Sequence, residues 1–364
     1  MFLEVAEGLA QAGHDIRVVT SKVENGEDTL EYKGIDIYYY RWKSFLGHPI
    51  PKVEDLNEHV KWADVVHTAV YTVAPVALRA GRKWNKPVLT TVYEALGDKW
   101  YWVEKSRIKA FALKLFEKTV IERPYTCLQA ISNATKQDME NYHLKAKTEM
   151  IYCPVDETEM VMGNATFDEV FGLPENGIEK RFLYYGRPGQ TKGVFVYLDA
   201  IKCLADSDAA GNLADQAKFC FVLADEPHEQ REYFMEEVKK GGLEKLVYVA
   251  RSRTREDLNA LIQKADYIVV PSITEGFGYS AIEACGFDKK LICSTAGSLP
   301  EVVYGKCLFF ENRNAEDLKD KLVSVLDGTA QFCNLEPKDF SRNEIVRQFV
   351  ALYQRISGRG AEEC

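Results

Sequence analysis

Two carboxylates and two fixed cations are the residues of this sequence best placed to do chemistry. Glu275 and Glu283 flank a glycine pair in Pro271-Ser272-Ile273-Thr274-Glu275-Gly276-Phe277-Gly278-Tyr279-Ser280-Ala281-Ile282-Glu283-Ala284. Carboxylates accept hydrogen bonds from hydroxyls, and the two glycines let backbone approach a ligand closely. Arg187 and Lys192 stand in an earlier turn, Gly186-Arg187-Pro188-Gly189-Gln190-Thr191-Lys192-Gly193. An arginine fork grips phosphate oxygens in pairs and a lysine adds a point charge, as a diphosphate needs. A ligand with hydroxyls at one end and phosphates at the other is a sugar phosphate or a nucleotide sugar. Plainer readings stand beside these. Ser280 and Glu283 have the spacing of a capping box, Glu275 can be a solvated loop carboxylate, and glycine-rich turns are common.

The elements that must hold these residues follow from the apolar pattern. Asp266 to Val270 is a β-branched run of the kind buried in parallel sheets, Pro271 ends it, and the pattern from Tyr279 is helical. Strand, glycine turn and helix start together form an anion site, because unpaired N–H groups and the helix dipole point the same way. Arg181 to Tyr185 predicts the strand before the Arg187 turn, with a helix after it to about Leu204. Strands at 218–224, 246–250 and 291–294 alternate with helices at 229–240 and 255–265, which implies a parallel sheet covered on both faces. Ser298 and Glu301 repeat the capping-box spacing.

At 364 residues the chain suits two domains, and 46% hydrophobic with 28% charged residues describes a soluble globular protein. A net charge of -9 argues against nucleic acid as the partner. Nine cysteines without C-x-x-C spacing read as reduced, strand-filling residues of a cytoplasmic protein. No apolar run reaches the length of a membrane span. Asp206-Ser207-Asp208 follows a helix and reads as solvated loop, so no metal site is expected.

The 271–284 run, followed by Gly297-Ser298-Leu299-Pro300-Glu301-Val302-Val303, resembles the donor-sugar signature of the family 4 glycosyltransferases, the retaining group 1 enzymes of GT-B fold, and the similarity covers nearly the whole chain. The resemblance implies an α/β protein with two Rossmann-like domains and an interdomain cleft. The domains would be an acceptor domain at 1–165 and a nucleotide-sugar-binding domain at 166–340, with a linker between Pro154 and Gly177 and a helix at 341–358 crossing back to the first. It implies that Glu275 lies by the donor hexose, that Glu283 holds ribose hydroxyls and that Arg187 and Lys192 hold the diphosphate. Peptide N–H groups of Gly276, Phe277, Gly278 and Tyr279 would hold sugar hydroxyls or phosphate. The implied reaction moves a hexose from a UDP- or GDP-sugar to a hydroxyl of a saccharide, lipid or protein glycan, with retention and with neither metal nor cofactor.

Departures from the family lie in the first domain. Met1 to Ala12 reads as a helix stopped by Gly13, with a strand at 16–20, so the usual first strand and glycine loop are missing. Asp64 to His67 reads as a strand ending in a histidine, which puts His67 and Tyr71 where open α/β sheets bind ligands, a structural histidine being the plainer alternative. Pro87 to Val92 leads to Tyr93, where the family commonly has histidine; a phenol donates a hydrogen bond but does not share a proton near neutral pH. Glu94 and Asp98 are either its nearby substitutes or solvated turn residues. Glu275, Tyr93 and His67 are therefore the candidate catalytic groups. Lys99 to Arg123 predicts one long helix opening on Trp100-Tyr101-Trp102, with seven basic against three acidic residues. It is either an ordinary amphipathic helix with aromatics packed on the sheet or a peripheral contact to an anionic membrane. The rival function is a non-catalytic GT-B donor-binding or partner subunit, motivated by Tyr93 and the missing strand. A sugar-nucleotide epimerase fits the 275–283 spacing less well, and a dehydrogenase lacks G-x-G-x-x-G after a strand.

Overall fold

The computed structural model describes residues 1–22, 27–45, 48–155, 160–173, 179–207 and 212–358. The chain divides into two compact units, Met1–Asp156 with Asp339–Cys364, and Glu157–Lys338. Pro174 and Gly177 of the expected linker, and Asp208 of the acidic triplet, lie outside the described residues.

The first unit opens with α1 (Phe2–Gln11), β1 (Ile16–Ser21), β2 (Thr29–Tyr32), β3 (Ile35–Tyr40) and the short strands β4 (Lys43–Phe45) and β5 (His48–Ile50). It continues through α2 (Val53–Trp62), β6 (Val66–Ala69), α3 (Ala74–Lys83), β7 (Val88–Val92), α4 (Trp100–Val103) and α5 (Arg107–Ile121). Then come β8 (Cys127–Ala130), α6 (Asn133–Met139) and β9 (Lys147–Met150). Its larger sheet runs β6-β7-β8-β9, all parallel, and a smaller sheet runs β1-β3-β2. A doubly wound domain carries one continuous sheet; here β1 and β6 each end a separate one. Every residue of β7 is buried, so the loop it feeds starts from a fixed base.

The second unit has α7 (Phe167–Phe171), β10 (Lys180–Gly186), α8 (Val194–Asp206), α9 (Leu213–Gln216), β11 (Ala217–Leu223), α10 (His228–Lys240) and β12 (Val247–Arg251). There follow α11 (Arg255–Lys264), β13 (Tyr267–Val270), α12 (Tyr279–Gly286), β14 (Lys290–Ser294), α13 (Leu299–Val302), β15 (Gly305–Phe310), α14 (Ala315–Leu326) and β16 (Cys333–Leu335). The sheet order is β12-β11-β10-β13-β14-β15-β16, with β16 antiparallel at its edge. Phe182, Phe219, Phe221 and Phe234 are fully buried, each contributing roughly 1.5–3 kcal/mol through apolar area removed from water. The last helix, α15 (Arg342–Ser357), belongs to the first unit, where its Ile345, Phe349 and Leu352 share a core with Val5 and Leu9 of α1.

Three expectations change. The helix over 99–123 is broken, because Glu104 is extended (φ -106°, ψ 125°) and the Ser106 hydroxyl accepts from Lys109 N to start α5. Serine competes for backbone donors in this way and so favours helix starts over interiors. Helix α7 occupies part of the stretch read as linker; Thr166 and Glu169 form a capping box and Gly172 ends it in the left-handed region. The capping-box spacing at Ser298 is not used as one, since that hydroxyl donates to Glu275 O at 3.3 Å.

Candidate functional site

The turn before α8 and the turn before α12 interlock in the second unit. Ile273 N and Thr274 N donate to Thr191 O at 2.8 and 3.3 Å. Gly193, at φ +65°, lies so close to Pro271 that an added Cβ would stand 1.7 Å from its carbonyl oxygen. Ser298 N donates to Glu275 O at 3.0 Å, and Asn312 Nδ2 to Ile273 O at 2.9 Å. The 271–278 turn is thus held through its own backbone from three directions, and its peptide groups keep a fixed orientation.

Side chains converge at this junction. Lys192 Nζ reaches the two Glu275 oxygens at 3.1 and 2.8 Å, and Ser272 Oγ donates to Glu275 Oε2 at 2.9 Å. An ammonium has three N–H groups, so Lys192 can hold Glu275 and still offer a donor to a phosphate oxygen. Arg187 is exposed at the rim of the same turn and makes no ion pair among the described residues. Tyr184 OH donates to Arg187 O at 2.8 Å, and burial with the Glu275 charge keeps that phenol protonated. Gly278 (φ +90°) opens α12, while the Phe277 side chain is buried and meets the half-exposed Tyr279 ring edge-on at 5.1 Å. Phe277 therefore anchors the turn.

Glu283 does not serve in a capping box: α12 starts from Gly278 with no side-chain cap, and the carboxylate meets Arg255 Nη1 at 2.8 Å. Arg255 and Ser272 are partners that sequence spacing did not disclose, because no local pattern links positions 255 and 283. Tyr185 OH, donating to Ser280 O at 2.6 Å, braces the first turn of α12 in the same way.

The candidates of the first unit stand differently. His67 is the second residue of β6 rather than its end, with Nδ1 2.7 Å from Tyr353 OH and Nε2 2.7 Å from Thr91 Oγ1. A little of its surface stays accessible, but the ring is desolvated and its pKa falls to about 3. Both nitrogens are occupied by neutral partners, so His67 is a packing residue and not a proton carrier. Tyr71 OH donates to Glu117 Oε1 at 2.9 Å, and Asp98 pairs with Lys114 at an exposed site. Tyr93 packs edge-on against Phe2 at 6.0 Å, and burial raises its pKa above the ordinary phenol value. Glu117, which sequence reasoning passed over as one charge of an amphipathic helix, is fully buried.

Residues 1–159 match Glycosyltransferase Family 4 and residues 167–344 match Glycosyl transferases group 1, and the chain belongs to this family. A sucrose-phosphate synthase from Thermosynechococcus elongatus shares the fold at a TM-score of 0.70 and 21% identity, covering 99% of this chain and 90% of that one. Anabaena HepE in complex with UDP-glucose superimposes at a TM-score of 0.64 and 16% identity, over 90% and 86% of the two chains. These likenesses carry the GT-B fold expected from the sequence. An uncharacterized glycosyltransferase of Methanocaldococcus jannaschii is 29% identical over 42% of each chain. The chain aligns with between 32% and 56% of the length of this and two further curated relatives.

Proposed function

We propose that this protein transfers a hexose-type sugar from a UDP- or GDP-sugar to an acceptor hydroxyl with retention of anomeric configuration. The observation that carries the reading is the interlocked pair of turns, which brings Lys192 onto Glu275 with Arg187 at the rim and the start of α12 behind. In the reaction the bond from the anomeric carbon to the diphosphate breaks and its electron pair leaves with the diphosphate. Arg187, Lys192 and the N–H groups opening α12 meet the charge that develops there. The Arg187 guanidinium and the Lys192 ammonium supply fixed positive charge without a metal. Glu275 and Glu283 face hydroxyls of the donor, and a UDP-hexose is the first donor to try because the structural neighbour HepE forms a complex with UDP-glucose. Burial keeps His67 a neutral imidazole and Tyr93 a neutral phenol near neutral pH, so neither is charged to relay the acceptor proton, and the departing diphosphate oxygen takes it.

The first unit adds a surface suited to a peripheral membrane contact and a lipid-borne acceptor. Ile108, Phe111 and Leu115 are 84, 58 and 52% exposed along one face of α5, beside Lys105, Arg107, Lys109 and Lys118. An apolar ridge between cations fits an anionic bilayer. No helix among the described residues is long and apolar enough to cross a membrane.

The test is release of free nucleoside diphosphate from a panel of UDP- and GDP-hexoses with saccharide, lipid and glycoprotein acceptors, the product's anomeric configuration being read by NMR. Turnover with retained configuration supports the proposal. Tight donor binding without turnover replaces it by the donor-binding or partner subunit, a reading favoured by His67, whose two ring nitrogens are both held by neutral partners.

A further inference from the structure

Glu117 accepts five hydrogen bonds in the first unit and is wholly buried. Tyr71 OH and Leu96 N donate to Oε1 at 2.9 and 3.0 Å; Gly97 N, Trp100 Nε1 and Tyr142 OH donate to Oε2 at 2.7, 3.2 and 2.5 Å. The donors come from the loop after β6, the loop after β7, α4 and the turn after α6, so one carboxylate on α5 ties together four segments at the end of the parallel sheet. Leu96 is right-handed (φ -74°, ψ -36°) and Gly97 left-handed (φ +52°), the alternation that turns two successive N–H groups toward one anion. Two ion pairs, Lys99 with Asp138 and Lys114 with Asp98, fasten the outside of the same loop. None of the five donors is cationic, so the carboxylate is satisfied by geometry alone, and every donor it holds is fixed in direction.

We propose that Glu117 is a positioning residue for the transfer reaction: it holds the loop at 93–100 in the one conformation that presents its backbone and Glu94 to the acceptor. The inference rests on the transferase reading above. Loops at the carboxyl ends of parallel strands are where open α/β sheets meet ligands, and Tyr71 OH also lies 3.4 Å from Glu94 O, which extends the clamp to the residue next to Tyr93. Glu117 acts through this loop and need not touch substrate.

Glu117→Gln tests it. Whichever way the amide turns, its NH2 group faces either Leu96 N–H or Gly97 N–H, and one of these loses its acceptor. Amide hydrogen exchange across 94–100 rises at least tenfold while that of β8 is unchanged. Turnover falls at least tenfold in kcat, with nucleoside diphosphate affinity by calorimetry within twofold of wild type. Gly97→Ala, strained at φ +52° with its Cβ 3.3 Å from Tyr142 OH, keeps the carboxylate and shows the same signature, so the test survives if the first variant folds poorly. Val120→Ala, a buried α5 residue outside the clamp, lowers melting temperature without either effect. Loop exchange that rises while kcat stays at the wild-type value overturns the positioning role and leaves the transferase reading standing; wild-type protein without turnover on any donor removes both. Equal loss of kcat in Val120→Ala reduces Glu117 to a stability residue and also overturns the proposal.

Discussion

His67 shows how far a residue's surroundings override its type. Its folded-state pKa of about 3 lies below the ordinary value of 6.5, so below pH 6.5 the unfolded chain takes up a proton that the folded chain refuses. The stability that neutral His67 provides is complete above about pH 6.5 and is lost as pH falls toward 3, at ~1.4 kcal/mol per pH unit. Unfolding free energies of wild type and His67→Gln, compared from pH 7 to 4, should diverge by that slope; parallel curves would show that the imidazole titrates normally. From sequence, a histidine at the end of a short strand reads either as a cleft residue or as a structural one. The partners that silence it, Thr91 and Tyr353, come from a neighbouring strand and from the last helix, and no local spacing records them. The pattern that singles out Arg187, Lys192, Glu275 and Glu283 is local by contrast, since each lies in a short glycine-bearing turn or in the first turns of the helix that follows it.

Elements were read best where apolar runs are long and buried. The strands β10, β11 and β13 and the helices α8, α10 and α11 stand within a residue or two of where the pattern puts them. β2 was not legible, because all four of its residues are exposed and Thr-Leu-Glu-Tyr offers no inward face to alternate against. The broken helix at 99–123 is a case of local chemistry beating periodicity: charge and amphipathic pattern run through Ser106, but its hydroxyl caps α5. The interlock of the two turns gives a sharper element-scale test. Gly193→Ala places a methyl where Pro271 O already stands and strains a left-handed residue, so the turns must separate. Donor affinity measured by thermal shift should fall at least tenfold, with a lower melting temperature in the unliganded protein. A variant with wild-type affinity would mean that the junction plays no part in binding.

At the scale of the whole molecule, each unit carries its own core and its own surface chemistry. The α5 ridge belongs to the first and is independent of the donor turns, so its role separates cleanly by mutation. Ile108→Glu with Phe111→Glu should abolish co-sedimentation with vesicles containing anionic lipid while leaving nucleotide binding in solution intact. Wild type that never sediments would remove the membrane contact and leave the proposed reaction untouched. The central claim is that the two turns of the second unit form one diphosphate site, and calorimetric titration of UDP-glucose and GDP-mannose into wild type and the Arg187→Ala, Lys192→Ala double variant tests it most directly. Losing two charge-assisted contacts of about 1.5–3 kcal/mol each should weaken binding by roughly a hundredfold or more. Saturable binding in wild type that all but disappears in the double variant is the predicted result; equal affinity in both proteins, or binding of neither nucleotide sugar to wild type, would contradict it.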